Sequence, residues 1–168
     1  HIDKVVNDAE QTGSVNTVLV DGNKSVIGEN TDVFGLQAAY LKEIDNNSSQ
    51  KALVIGAGGV SPSVILSLQK SGIKNISLTN RTNEKCIFLK KRFSMINILP
   101  WKNLQSEIKN FDIIVNATSL GLKGADDFDF NFSGTKNKVI YIDTIYNPLE
   151  TKTYKYLKEE GKKVFNGL

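Results

Sequence analysis

The chain has 168 residues, which at roughly 150 residues per domain leaves room for one complete domain and a fragment of another. Hydrophobic residues make up 40% and there are 13 glycines, the balance of an ordinary globular chain, which excludes a disordered or fibrous one. Lys and Arg total 21 against 18 Asp and Glu, a net charge of +3 with no long basic run, so neither the charge nor its pattern points to nucleic acid.

Cys86 is the single cysteine and cannot form an internal disulfide, and no run approaches the ~20 apolar residues that span a bilayer. A reducing, cytoplasmic compartment and no membrane partner are therefore expected. The chain opens His-Ile-Asp-Lys, with neither an initiator methionine nor a signal-peptide core, and is expected to come from the interior of a longer gene product.

Residues 1–13 carry a weak helical pattern in Ile2, Val5, Val6 and Ala9 that stops at Gly13, a helix with no visible partner. Asn16–Val20 and Ser25–Gly28 flank Asp21-Gly-Asn-Lys24, the signature of a β-hairpin. Thr31 or Asp32 then caps a helix with Phe34, Leu36, Ala38, Ala39, Leu41 and Ile44 at its apolar positions. Asp45-Asn-Asn-Ser-Ser-Gln50 is a polar break and the candidate linker.

From Lys51 onward the period changes. Buried-type strands are predicted at 52–55, 76–79, 113–115 and 139–142, each separated from the next by a helix, with weaker strands at 94–98 and 163–165. Val60, Val64, Ile65 and Leu68 form the first of those helices, with Gly72 as its stop. This alternation predicts an α/β class: a doubly wound, Rossmann-like, mostly parallel sheet with helices on both faces.

Gly56-Ala57-Gly58-Gly59-Val60-Ser61 follows a strand and opens a helix, where glycines make a tight turn and let backbone N–H groups approach a pyrophosphate. Its last position is Ser61, not Gly or Ala, and Pro62 suits the first helical turn. The next strand ends in Asn80-Arg81-Thr82 without the acid that NAD-binding proteins place there. Arg81, Thr82 and Lys85 offer charge and a hydroxyl to a 2′-phosphate, which favours NADP(H) as cofactor; a solvated helix start is the plainer alternative.

Further polar clusters close later strands: Asn116-Ala-Thr118-Ser119, then Asp143-Thr-Ile-Tyr146-Asn-Pro148, then Asn166-Gly167. All fall at carboxyl ends, the edge where open α/β sheets bind ligands, although a helix cap or a turn would use the same residues. Asn16, Asn30 and Asp32 could converge on a polyhydroxylated ligand, with Asp32 as proton acceptor or orienter; capping explains Asp32 equally well. Trp101 is read as a partly buried loop anchor, and Asp126, Asp127 and Asp129, interleaved with Phe128, Phe130 and Phe132, as a loop or edge segment and not a metal site.

Taken together, Ser-Val-Asn16-Thr, Asn30-Thr31-Asp32, Gly56-Ala-Gly-Gly59, Asn80-Arg-Thr82, Asn116-Ala-Thr-Ser119, Asp143-x-x-Tyr146-x-Pro148-x-x-Thr151 and Asn166-Gly167 resemble, in order and spacing, the shikimate dehydrogenase family. The resemblance runs from about residue 9 to the end. It implies NADP(H)-dependent, reversible reduction of 3-dehydroshikimate to shikimate, on the route to chorismate and aromatic amino acids, without a metal. It places Asp32 in a catalytic Lys–Asp pair, and Asn16, Asn30 and Tyr146 on the substrate. It assigns Gly56, Ala57, Gly58, Gly59, Asn80, Arg81, Thr82, Lys85, Asn116, Thr118, Ser119 and Gly167 to the cofactor.

Departures from the family pattern are Lys85 for an arginine, Val33 for a glycine and Ser14 for an alanine. The family's catalytic lysine and serine pair belong upstream of His1. The resemblance thus implies a remnant of the substrate domain in residues 1–30, an interdomain helix and linker in 31–50 and an NADP-binding domain in 51–168, inactive alone and belonging to a monomer or homodimer. A quinate/shikimate dehydrogenase and a non-catalytic dinucleotide-binding module are the alternatives.

Overall fold

The computed structural model describes residues 1–41 and 49–167. The first part holds β1 (Lys4–Val5), α1 (Asn7–Thr12), β2 (Thr17–Val20), β3 (Val26–Glu29) and α2 (Asp32–Ala39). The second holds β4 (Lys51–Ile55), α3 (Ser61–Lys70), β5 (Asn75–Thr79), α4 (Asn83–Arg92), β6 (Asn97–Ile98), α5 (Leu104–Glu107), β7 (Ile113–Asn116), β8 (Ile140–Asp143), α6 (Lys152–Glu159) and β9 (Lys163–Phe165).

Strands β4 to β9 form one parallel sheet in the order β6-β5-β4-β7-β8-β9. The strands are apolar almost throughout because both faces are covered. Ala52, Val54, Ile113 and Val115 pack with α3 and α4, whereas Leu53, Ile55, Ile114 and Tyr141 pack with α5, Phe132 and Leu157 of α6. Strand order reverses between β4 and β7, the switch point at which such sheets open a ligand crevice. Thr79, Ile55, Asn116 and Asp143 lie in one register row at the carboxyl edge.

The hairpin of β2 and β3 is present as predicted, and Lys4–Val5 adds a short parallel strand beside β3. α1 is confined to six residues and ends at Gly13 in the left-handed region (φ 67°). It does have partners. Asp8 pairs with Lys70 of α3 at 2.5 Å, and Arg92 of α4 donates to the carbonyls of Glu10 and Gln11 at 3.0 and 3.2 Å. These contacts, with α2 lying on α3, join the three-stranded layer to the large sheet.

Two predicted features differ. Phe34 is 72% exposed, because α2 rests on α3 through Val33, Leu36 and Tyr40, and Phe34 falls off that stripe. Ile44 and most of the candidate linker lie outside the described residues. The helix expected between β7 and β8 is absent among the described residues: 117–139 runs as turns, bends and irregular chain. Gly121 and Gly124 hold positive φ there (94° and 86°), and an aromatic ladder covers the sheet instead. Phe128, Phe130 and Phe132 lie 5.0–5.3 Å apart, and Phe132 meets Tyr141 edge-on at 5.7 Å. No helix among the described residues is long and apolar enough to cross a membrane.

Candidate active site

The glycine loop leaves β4 through Gly56, whose φ of 111° and position admit no side chain: a Cβ there would lie 2.5 Å from the Ala117 carbonyl oxygen. The Gly56 N–H donates to Thr79 O at 2.8 Å, and the Ala57 N–H to Asn80 Oδ1 at 3.2 Å, so the end of β5 holds the turn. Ser61 is buried; its hydroxyl donates to Gly56 O at 2.9 Å and accepts from Gly58 N–H at 3.0 Å. The hydroxyl that spoils the glycine fingerprint therefore ties the loop from inside. A serine five residues after the first glycine, at the start of α3, is the sequence signal for it.

The loop opens onto a cleft of about 580 Å³ at the switch point. Gly56 through Gly59, Asn80 through Thr82, Lys85, Thr118, Ser119 and Tyr146 all line it, as does Trp101. A Cβ at Gly59 would meet nothing within 4 Å, and at Gly58 only Ala117 O at 4.0 Å, so the backbone is open to a close ligand. No hydrogen bond among the described residues uses the Gly59 or Val60 N–H. Arg81, Thr82 and Lys85 are exposed at the β5 end. Open backbone donors at a helix start beside two cations suit a phosphorylated dinucleotide.

A second cleft, about 300 Å³, is lined by Asp32, Tyr40 and Gly167 and shares Val60 and Thr144 with the first. Asp32 is thereby one wall away from the glycine loop. Gly167, which the resemblance assigns to the cofactor, lines this cleft and not the first: its N–H donates to Ile145 O at 3.0 Å, and a Cβ would collide with Thr144 O. The Tyr40 hydroxyl donates to the Asn166 carbonyl nearby, and burial raises its pKa.

Three expected ligand residues are not at either cleft. Asn30 is buried, with Nδ2 donating to Ser14 O and Ser63 Oγ at 3.0 Å each and Oδ1 accepting from Ser63 Oγ (3.2 Å) and Val33 N–H (3.3 Å). Its amide is consumed inside the protein, so it clamps the start of α2 and leaves nothing for a ligand. Asn116 is likewise enclosed: Oδ1 accepts from the N–H and hydroxyl of Thr118 (3.0 and 2.7 Å), while Nδ2 donates to Leu120 O (3.2 Å) and Asp143 Oδ1 (3.1 Å). Its role is to shape the cleft wall. Asn16 uses Oδ1 to hold the Thr31 N–H at 3.0 Å, and its Nδ2 makes no hydrogen bond among the described residues.

Asp143 is the last residue of β8. Burial pushes its carboxyl above the usual range, against hydrogen bonds from Thr151, Ile145, Tyr141 and Asn116 that pull it down. The signal was an acid ending the buried run Ile-Tyr-Ile, which requires partners. Cys86 lies in the core with its thiol pushed up to about 11 by burial, an inert position. Asp127, from the acidic loop, pairs with Lys152 at 2.5 Å.

The chain is similar to known proteins in sequence and in fold. Residues 39–144 match the family model for shikimate/quinate 5-dehydrogenase. A shikimate dehydrogenase (NADP(+)) of Pelagibacter ubique is 42% identical over 99% of this chain and 61% of its own length. The structure of Aquifex aeolicus shikimate dehydrogenase superposes with a TM-score of 0.88 at 38% identity, over 99% of this chain and 60% of that one. Quinate dehydrogenase of Corynebacterium glutamicum, in complex with NAD, has a TM-score of 0.88 at 25% identity, over 99% and 61%. The chain spans about 60% of the length of these relatives. With the family model covering more than half of its residues, over the very segments that build the glycine loop and the strand ends around it, the chain belongs to the shikimate/quinate 5-dehydrogenase family.

Proposed function

We propose that this chain is the NADP(H)-binding part of an enzyme that reversibly reduces 3-dehydroshikimate to shikimate. The observation that carries the reading is the adjacency of two clefts through Val60 and Thr144, one built on a glycine loop with cations at its end, the other holding Asp32. The nicotinamide, when bound, supplies or accepts the hydride. Gly59 and Val60 offer backbone donors to the pyrophosphate, and Arg81, Thr82 and Lys85 take the 2′-phosphate. Asp32 orients the proton-transferring group beside the substrate, and Tyr146 closes the cleft at the β8 end.

In this reading residues 1–30 belong to the substrate domain, 31–50 connect it, and 51–168 bind the cofactor. The lysine that pairs with this aspartate in the family matches no position of the chain. The 168 residues on their own therefore bind cofactor and turn over little substrate. A second reading, oxidation of quinate with NAD, is supported by the close superposition on the NAD-bound quinate enzyme and by Lys85, a point charge where a planar guanidinium would grip a phosphate more selectively.

Thermal unfolding with each nucleotide tests the reading. At a hundredfold excess over Kd, NADP is expected to raise the Tm by about 5–10 °C, with a much smaller shift for NAD at equal concentration. Equal shifts favour the quinate reading, and no shift with either removes the cofactor assignment.

A further inference from the structure

Asp143 is a buried carboxylate, 1% exposed, that the proposed chemistry does not touch. Its Oδ1 accepts from Asn116 Nδ2 and from the Ile145 N–H, both at 3.1 Å. Its Oδ2 accepts from the Thr151 hydroxyl at 2.7 Å and the Tyr141 hydroxyl at 3.3 Å. The donors come from the end of β7, β8 itself, the loop after β8, and the residue that caps α6. Through Asn116 the carboxylate also reaches Thr118 and Leu120. Thr118, Leu120 and Ile145 are all walls of the larger cleft.

A carboxylate buried at a strand end is costly, and apolar replacements of such groups are often neutral or stabilising, so stability alone does not call for one here. Capping does not call for it either, because Thr151 itself accepts the Tyr154 N–H at 3.2 Å. What the four bonds accomplish is to set the 117–120 wall and the 144–146 wall against each other from a single point. In doubly wound sheets the two nucleotide halves lie on either side of the switch point, so these walls belong to the half formed by β7 and β8, away from Arg81 and Lys85.

We infer that Asp143 is a positioning residue for the nicotinamide half of the cofactor cleft, fixing its two walls in one relative placement. This rests on the cofactor reading above. The test measures the affinity of the chain for NADPH and, separately, for adenosine 2′,5′-bisphosphate, which fills only the other half, together with the Tm.

Asp143→Asn, which turns an N–H₂ toward groups that are themselves donors, is expected to weaken NADPH by about tenfold or more while leaving adenosine 2′,5′-bisphosphate within about twofold. Thr151→Val, which removes one bond to Oδ2, should lose NADPH affinity in the same direction by less, and Thr151→Ser should restore it. These two variants keep the test decisive if Asp143→Asn fails to fold. If the variants lower the Tm but leave the ratio of the two affinities unchanged, Asp143 is only structural and the inference is overturned. Wild type that binds neither ligand overturns the cofactor reading and the inference with it. Wild type that binds both, beside variants that bind both equally well, overturns the inference alone.

Discussion

The side chains of Asn30 and Ser63 exchange two hydrogen bonds, Nδ2 to Oγ at 3.0 Å and the hydroxyl back to Oδ1 at 3.2 Å, across the seam between the hairpin layer and α3. The same Oδ1 receives the Val33 N–H, so the pair also sets where α2 begins and hence where Asp32 points. Ser63→Ala leaves part of a buried amide unpaired. It is expected to cost about 1–3 kcal/mol, read as a Tm lowered by roughly 2–10 °C.

Asp32 lines the smaller cleft, which shares Val60 and Thr144 with the larger one, and the proposed function gives its carboxylate to proton handling, not to cofactor binding. In an active preparation of the enzyme, Asp32→Asn is expected to lower kcat for shikimate oxidation by about 100-fold or more while NADPH affinity stays within twofold. Parallel losses in both would place Asp32 in the fold instead of the chemistry.

Arg81 and Lys85 are exposed cations at the β5 end of the larger cleft. Arg81→Gln should weaken NADPH by about 10- to 100-fold with little effect on NADH, because only the former carries the extra phosphate. Lys85→Arg, which replaces a point charge by a bidentate fork, should sharpen the preference for NADPH. Both follow from binding isotherms with the two nucleotides at one fixed ionic strength.

Asp112, just before β7, ties the start of β4 to the crossover that leads into β8, accepting from the Lys51 N–H at 2.9 Å and pairing with Lys136 at 2.6 Å. Burial raises its pKa, but the Lys136 hydrogen bond, the Lys51 N–H and both lysine charges outweigh that and leave it below the usual value. A depressed carboxyl stabilises the fold above roughly pH 4 and loses that contribution as pH falls through the lower folded value. Asp112→Asn should therefore be less stable than wild type at pH 7, by less than about 1 kcal/mol, with the gap closing in acid. Urea midpoints of the two proteins across pH 2–7 measure it.

The strands were readable because a parallel sheet covered on both faces needs continuous apolar runs, and 52–55, 113–115 and 139–142 are such runs. The hairpin and the glycine loop were readable from turn chemistry. The roles of Asn30 and Asn116 were not, since an amide at a strand end looks the same in sequence whether it faces a ligand or clamps a loop. The burial of the α3 serines was hidden too: nothing in the sequence marks Ser61, Ser63 and Ser67 as enclosed, yet each bonds locally or across the seam, and the helix is buried from Ser61 to Leu68. The absence of the expected crossover helix was not readable, because Phe128, Phe130 and Phe132 are spaced in sequence like a loop or edge segment, whereas Phe132 packs into the core at 2% exposure.

A helix keeps its shape through its own carbonyls, so many substitutions along it are absorbed by the remaining ladder. The crossover from β7 to β8 lacks that redundancy, because it is held by a ladder of rings and a few separate bonds such as Lys136 to Asp112. Changes of length should be tolerated around Gly124, where nothing lies within 4 Å of a Cβ, since a few added loop residues cost only tenths of a kcal/mol. Homologous chains are then free to vary the size of this segment, provided that a large ring remains to cover Tyr141.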